Sequence, residues 1–138
     1  MFGTVRTLSD GRVELRFERW FPHGCDKVWR ALTTADELRT WFVEILDYDR
    51  SQLEFAPGAH LTFVAPGFPS GEGTVVAYEP PSLLEYTWDA ETLRWELTEK
   101  DGGCGLVFTN TVADGDTAAA VDPGWDLGLK RLADALDL

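Results

Sequence analysis

The sequence predicts an α+β domain in which a curved antiparallel sheet of about six or seven strands clasps a long C-terminal helix. Two short helices are expected after the first strand. Three observations lead there. Val13, Leu15, Phe17 and Phe21 alternate with Glu14, Arg16, Glu18 and Trp20, the period-two signature of a half-buried strand. Further short alternating runs, separated by Gly, Pro and Asp turns, fill residues 61–112. The chain then closes on Trp125, Leu129, Leu132 and Leu136, one apolar stripe at helical spacing.

The elements follow in order. Residues 1–11 are mixed and end at the Asp10-Gly11 turn. In the strand that follows, Arg19 falls on the apolar face. A buried guanidinium needs a carboxylate or carbonyls around it, so Arg19 is either a structural ion-pair partner or a pocket group. Pro22 and Gly24 end the strand, and Val28, Trp29 and Leu32 mark a short helix. Thr34 with Glu37 forms a capping-box pattern that opens a second one, carrying Leu38, Trp41 and Phe42. Ile45-Leu46 reads as the start of an edge strand, and Asp47 to Gln52 as a turn. The acidic spacing there is not a calcium loop, because Gln52 stands where the sixth-position Gly is required.

The later strands carry Leu61, Phe63 and Ala65, then residues 73–79, then Leu84, Tyr86 and Trp88. Leu93, Trp95 and Leu97 form the next, and Asp101-Gly102-Gly103 is a hairpin signal before Leu106, Phe108, Asn110 and Val112. For the final helix, Asp122 is the expected N-cap and Pro123 the first helical residue. About 15 residues then give a rod of roughly 22 Å. A flat sheet of this size would outrun that rod, so the sheet must bend around it. Such a grip leaves a gap where a ligand fits.

Composition bounds the rest. At 138 residues the chain is expected to form one domain spanning 1–138. Six Trp and eight Phe exceed what many cores of this size need, and surplus aromatics suit an apolar pocket. Twelve basic against twenty-four acidic residues leave a net charge of −12, which repels nucleic acid and anionic membranes. No apolar run approaches the ~18 residues of a membrane span, and no signal-peptide pattern is present. The expected location is therefore the cytoplasm, with Cys25 and Cys104 as free thiols.

Several runs are familiar together. Arg19-Trp20-Phe21-Pro22, Lys27 to Thr33, Glu37 to Trp41, Gly73-Thr74-Val75, Glu79 to Trp88, and Gly124-Trp125 with Leu129 and Leu132 are the runs in question. Over about residues 12–137 the chain resembles bacterial proteins related to the heat-shock-protein ATPase activator domain. These belong to the START-like, birch-pollen-allergen-like helix-grip superfamily (SRPBCC), which includes lipid-binding proteins and polyketide cyclases. The resemblance implies a hydrophobic cavity between sheet and last helix, in a family whose bacterial members are mostly unassigned. It also implies a last helix that starts earlier, near Thr117. Where relatives often carry paired glycines and a His, this chain has Gly58-Ala59 and Asn110.

Chemistry is sparse. His23 and His60 fall at element ends, and a Cys25–His23 pair does not by itself make an activated nucleophile. No catalytic residue, metal set or cofactor motif is assigned. Arg19, Tyr86 and Asn110 form a polar group able to orient a carbonyl or carboxylate. Each also has a structural reading: an ion pair for Arg19, a core ring for Tyr86, a strand-end tie for Asn110. Phe63, Trp88, Trp95 and Phe108 are core residues singly and an apolar lining collectively, with Trp125 and Leu129 closing the cavity from the helix. The expected function is binding of a small hydrophobic ligand (a lipid, aromatic or polyketide-like molecule). The alternatives are a chaperone-interacting regulator and a cyclase- or hydratase-like enzyme.

Overall fold

The computed structural model describes residues 1–138. The order of elements is β1 (Thr4–Thr7), β2 (Val13–Phe21), α1 (Cys25–Thr33), α2 (Ala35–Trp41), β3 (His60–Phe63), β4 (Gly71–Glu79), β5 (Leu83–Trp88), β6 (Glu91–Lys100), β7 (Gly103–Val112) and α3 (Gly115–Leu136). The strands form one antiparallel sheet in the order β1-β2-β7-β6-β5-β4-β3. Strands β3 to β7 are a meander, and β2 returns to pair with β7 along its whole length. This is the curved sheet around a long helix that the alternating runs predict.

Curvature has a visible cause. The register between β4 and β5 shifts between Val75 and Ala77, and a bulge of that kind bends and twists the strand. Gly73 lies just before it. A Cβ there would fall 1.8 Å from the Thr87 carbonyl oxygen, so the bend requires a residue without a side chain.

The final helix corrects the sequence reading. It begins at Gly115, not at Pro123, and its N-cap is Asp114, whose side chain accepts from the Thr117 N–H. The start near Thr117 implied by the resemblance is the closer one. Ala118 to Ala120 favour helix strongly, and Pro123 is accommodated inside. The residue that would have received its missing hydrogen bond, Ala119, is exposed, so water can serve that carbonyl. Asp122, expected as a cap, is instead buried on the core-facing stripe with Ala118, Asp126, Leu129, Leu132 and Leu136. Its carboxylate accepts the backbone N–H groups of Phe2 and Gly3 at 2.8 and 2.7 Å, tying the N-terminus across the helix.

Three smaller expectations also change. Residues 4–7 form an exposed edge strand, β1, that the mixed sequence did not announce. Ile45-Leu46 starts no strand, and the segment makes only an isolated bridge between Gln52 and Thr62. Thr34 occupies the N-cap position of α2, yet its side chain makes no capping bond. The largest correction concerns the cysteines. Cys25 at the start of α1 and Cys104 on β7 are joined in a disulfide and are not free thiols. The fold brings their Cα atoms to 5.0 Å across a separation of 79 residues, within disulfide reach. The thiol argument for a reducing compartment falls with it.

Candidate functional site

The inner face of the sheet is packed with aromatic rings. Trp95 stacks on Phe108 at 3.9 Å and meets Trp41 edge-on at 5.7 Å. Phe63 stacks on Trp88 at 3.9 Å, and Tyr86 packs between Phe55 and Phe63. Trp95, Tyr86, Phe63, Phe108 and Leu129 all have essentially no exposed surface. The Trp95 indole N–H is buried with no hydrogen-bond partner. The Tyr86 hydroxyl lies nearby without making a hydrogen bond of good geometry to it. Burial pushes the Tyr86 phenol well above its ordinary value, and the neighbouring indole N–H offsets this only in part.

Space remains at one end. There the β5–β6 hairpin, the end of β7, the first half of α3 and the loop after α2 surround a cleft of about 600 Å³. The loop supplies Val43 and Ile45, and the hairpin supplies Trp88, Asp89, Ala90, Glu91 and Leu93. Ala113 follows β7, and α3 contributes Thr117, Val121, Gly124 and Trp125. A smaller hollow of about 210 Å³ adjoins it, sharing Val43, Gly124 and Trp125 and bounded by Arg131.

Each wall is held in place. The Trp88 ring lies nearly parallel to Phe63, at 5°. The Trp125 indole N–H donates to Asn110 Oδ1 at 3.0 Å, and its ring packs on Phe108 and Phe42. Asn110, fully buried, donates through Nδ2 to Glu91 Oε1 at 3.1 Å and to the Thr92 carbonyl at 3.2 Å. One side-chain amide therefore couples the helix wall to the hairpin wall. The Tyr48 hydroxyl donates to the Val43 carbonyl at 2.8 Å and fixes the loop; its own burial raises the phenol well above its ordinary range. Asp89 adopts a positive φ of 52°, a conformation Asp tolerates in turns. Its Oδ1 accepts from the Glu72 N–H at 3.0 Å.

The charge of the cleft has one sign. Asp89 and Glu91 are its ionisable groups, and no Lys, Arg or His lines it. The positive end of the α3 dipole nearby is already answered, because Asp114 accepts from both the Thr117 N–H and its hydroxyl, at 2.8 and 2.7 Å. Those bonds hold the Asp114 carboxyl below the usual carboxylate range.

Of the residues named from the sequence, Trp88 and Trp125 line the cleft and Asn110 braces it from behind. Phe63, Tyr86, Trp95, Phe108 and Leu129 form the packed floor and core beneath. Arg19 lies elsewhere: its guanidinium donates to Asp126 at 3.0 Å and sits over the Phe17 ring. His23 pairs with Asp137 at 2.8 Å, and Cys25 beside it has no thiol to activate. Val43, Ile45, Glu91, Val121 and Gly124 were not foreseen. The available signal was the apolar set Val43, Ile45 and Leu46 around Glu44, in a segment that starts no strand. Groups of His, Cys, Asp and Glu that could hold a metal ion do not occur.

A model of the family described as activator of Hsp90 ATPase homolog 1-like protein matches residues 23–137. The chain belongs to this family. Among solved structures, it is similar to protein MLL2253 from Mesorhizobium loti, at 23% identity and a TM-score of 0.77, covering 90% of this chain and 96% of that one. It is similar to EF2215, a conserved protein of unknown function from Enterococcus faecalis, at 25% identity and a TM-score of 0.78, covering 97% and 76%. CalU16 from Micromonospora echinospora gives 21%, a TM-score of 0.72, and 96% and 82% coverage. These likenesses show the helix-grip fold. No curated protein matches the chain. No helix is long and apolar enough to cross a membrane.

Proposed function

We propose that this member of the activator-homology family binds a small hydrophobic molecule in the cleft at the hairpin end of α3. The observation that carries the reading is a space of about 600 Å³ with eight apolar residues among the twelve that line it, beside a core that is otherwise filled. That volume and lining suit a small organic molecule. Burying apolar surface supplies roughly 25 cal/mol per Å², the main attraction such a wall offers. We read the site as binding and not turnover, because its lining offers two carboxylates and no His, Lys, Cys or Ser beside them.

Gly124 provides the test. Gly124 lines the cleft, and a Cβ built there meets no atom within 4 Å, so a side chain at this position is accommodated without a clash. Gly124→Leu should fold at least as stably as the parent, since Gly in a helix costs about 0.8–1 kcal/mol relative to better formers. It should also weaken uptake of apolar fluorescent probes at least tenfold. Equal probe affinity in parent and variant would place the probe elsewhere and end this reading.

A further inference from the structure

The chemistry of the cleft also indicates what kind of apolar molecule it takes. Its ionisable groups are confined to one side, where Asp89 and Glu91 stand on the hairpin that faces α3. Neither carboxylate belongs to an ion pair of the fold. Glu91 is half-buried and aimed by the amide of the fully buried Asn110, which takes one of its oxygens and leaves the other without a partner in the fold. The amide is itself oriented by Trp125 on the opposite wall. The carboxylate is thus positioned by a buried side chain, as a surface acid on a flexible stem is not.

Nothing basic answers it. The lining has no cation, the dipole end of α3 is occupied by Asp114, and the chain carries a net charge of −12. A fatty acid or other anionic amphiphile entering this space would bring its carboxylate against two others with no cation in the lining to receive it. A protonated amine would instead gain a charge-assisted hydrogen bond in a partly desolvated setting. We infer that the ligand is a cationic amphiphile: an apolar skeleton bearing an amine that docks on Glu91. This rests on the cleft-binding reading above and specifies it.

A matched set separates the two ideas. Dehydroabietylamine, dehydroabietinol and dehydroabietic acid share one tricyclic skeleton and differ in a single head group. Titration calorimetry of each into the full chain at pH 7 should rank amine before alcohol before acid, with the amine at least tenfold tighter than the acid. Glu91→Gln should shrink that ratio to threefold or less. Glu99→Gln, on the exposed far end of β6, removes the same charge and should leave the ratio unchanged. Asp89→Asn, a residue equally tolerant of positive φ, serves as the second cleft variant and should narrow the ratio too. Acid binding as tight as amine overturns the inference. So does a ratio that Glu99→Gln reduces as much as Glu91→Gln, since the overall charge would then be responsible. If none of the three molecules binds, the cleft reading itself is lost.

Discussion

The indole of Trp125 donates its N–H to the side-chain oxygen of Asn110 at 3.0 Å, joining the long helix to the sheet inside the core. Asn110 donates its two amide hydrogens to Glu91 and Thr92. It is fully buried, and its bonds are what permit an amide there.

Asn110→Leu should therefore cost more than a change of similar volume elsewhere. It leaves the Trp125 N–H and a Glu91 oxygen without partners in a low-dielectric site, at about 1–3 kcal/mol for the stranded groups. Urea unfolding measures the loss. The fluorescence of Trp125 should also shift as its ring gains freedom; an unchanged midpoint would show that the bond contributes nothing net.

Arg19 and Asp126 make a separate prediction. The pair links β2 to α3, with the Arg side chain 30% exposed and the Asp 9% exposed, and Lys130 gives Asp126 a second partner at 3.0 Å. Arg19→Ala should lower stability by about 1–2 kcal/mol, at the low end for a charged hydrogen bond because of that exposure and the remaining partner. It should leave probe affinity in the cleft unchanged. Loss of probe binding in a folded Arg19→Ala protein would return Arg19 to the site.

The disulfide closes a loop across a separation of 79 residues between α1 and β7. Cys25→Ala with Cys104→Ala should destabilise the fold by about 2–4 kcal/mol, largely by freeing the unfolded chain. Treatment with reductant in denaturant should move the parent midpoint toward that of the double variant. Coincident midpoints with and without reductant would mean that the bond is not formed in solution.

Asp114 predicts a pH dependence of the helix start. Its carboxyl is held below the ordinary value of 3.8, first by the Thr117 N–H and then by the Thr117 hydroxyl. A depressed folded-state pKa adds stability that is complete above the unfolded value and disappears as pH falls through the folded one. Asp114→Ala should thus melt below the parent at pH 5–7, with the deficit shrinking below pH 3.8. Thermal melts by circular dichroism across that range measure it, and a deficit independent of pH would assign the effect to something other than this carboxylate.

Much of the architecture was legible because periodicity reports which faces are apolar. Val13 to Phe21 alternate in the structure as in the sequence, and Leu129, Leu132 and Leu136 face the core as their spacing requires. The beginning of the last helix was misread for a local reason. Asp122-Pro123 carries a strong start signal, while the true cap, Asp114, is followed by a Gly that weakens it. Buried acids confused the pattern as well, since Asp122 and Asp126 occupy core-facing positions that polarity alone assigns to solvent.

By itself the sequence determined an α+β domain, its strands, its closing helical stripe and an acidic surface, because each depends on neighbours a few positions apart. Tertiary structure alone decided that Cys104 meets Cys25, that Asp122 receives the N–H groups of residues 2 and 3, and that Arg19 answers Asp126. It also decided that the space lies beside Trp88 and Trp125 and not beneath Leu129. Those outcomes join residues up to 120 positions apart. Where a gap survives depends on how side-chain volumes from several elements fit together in three dimensions, and one-dimensional spacing carries no record of that fit.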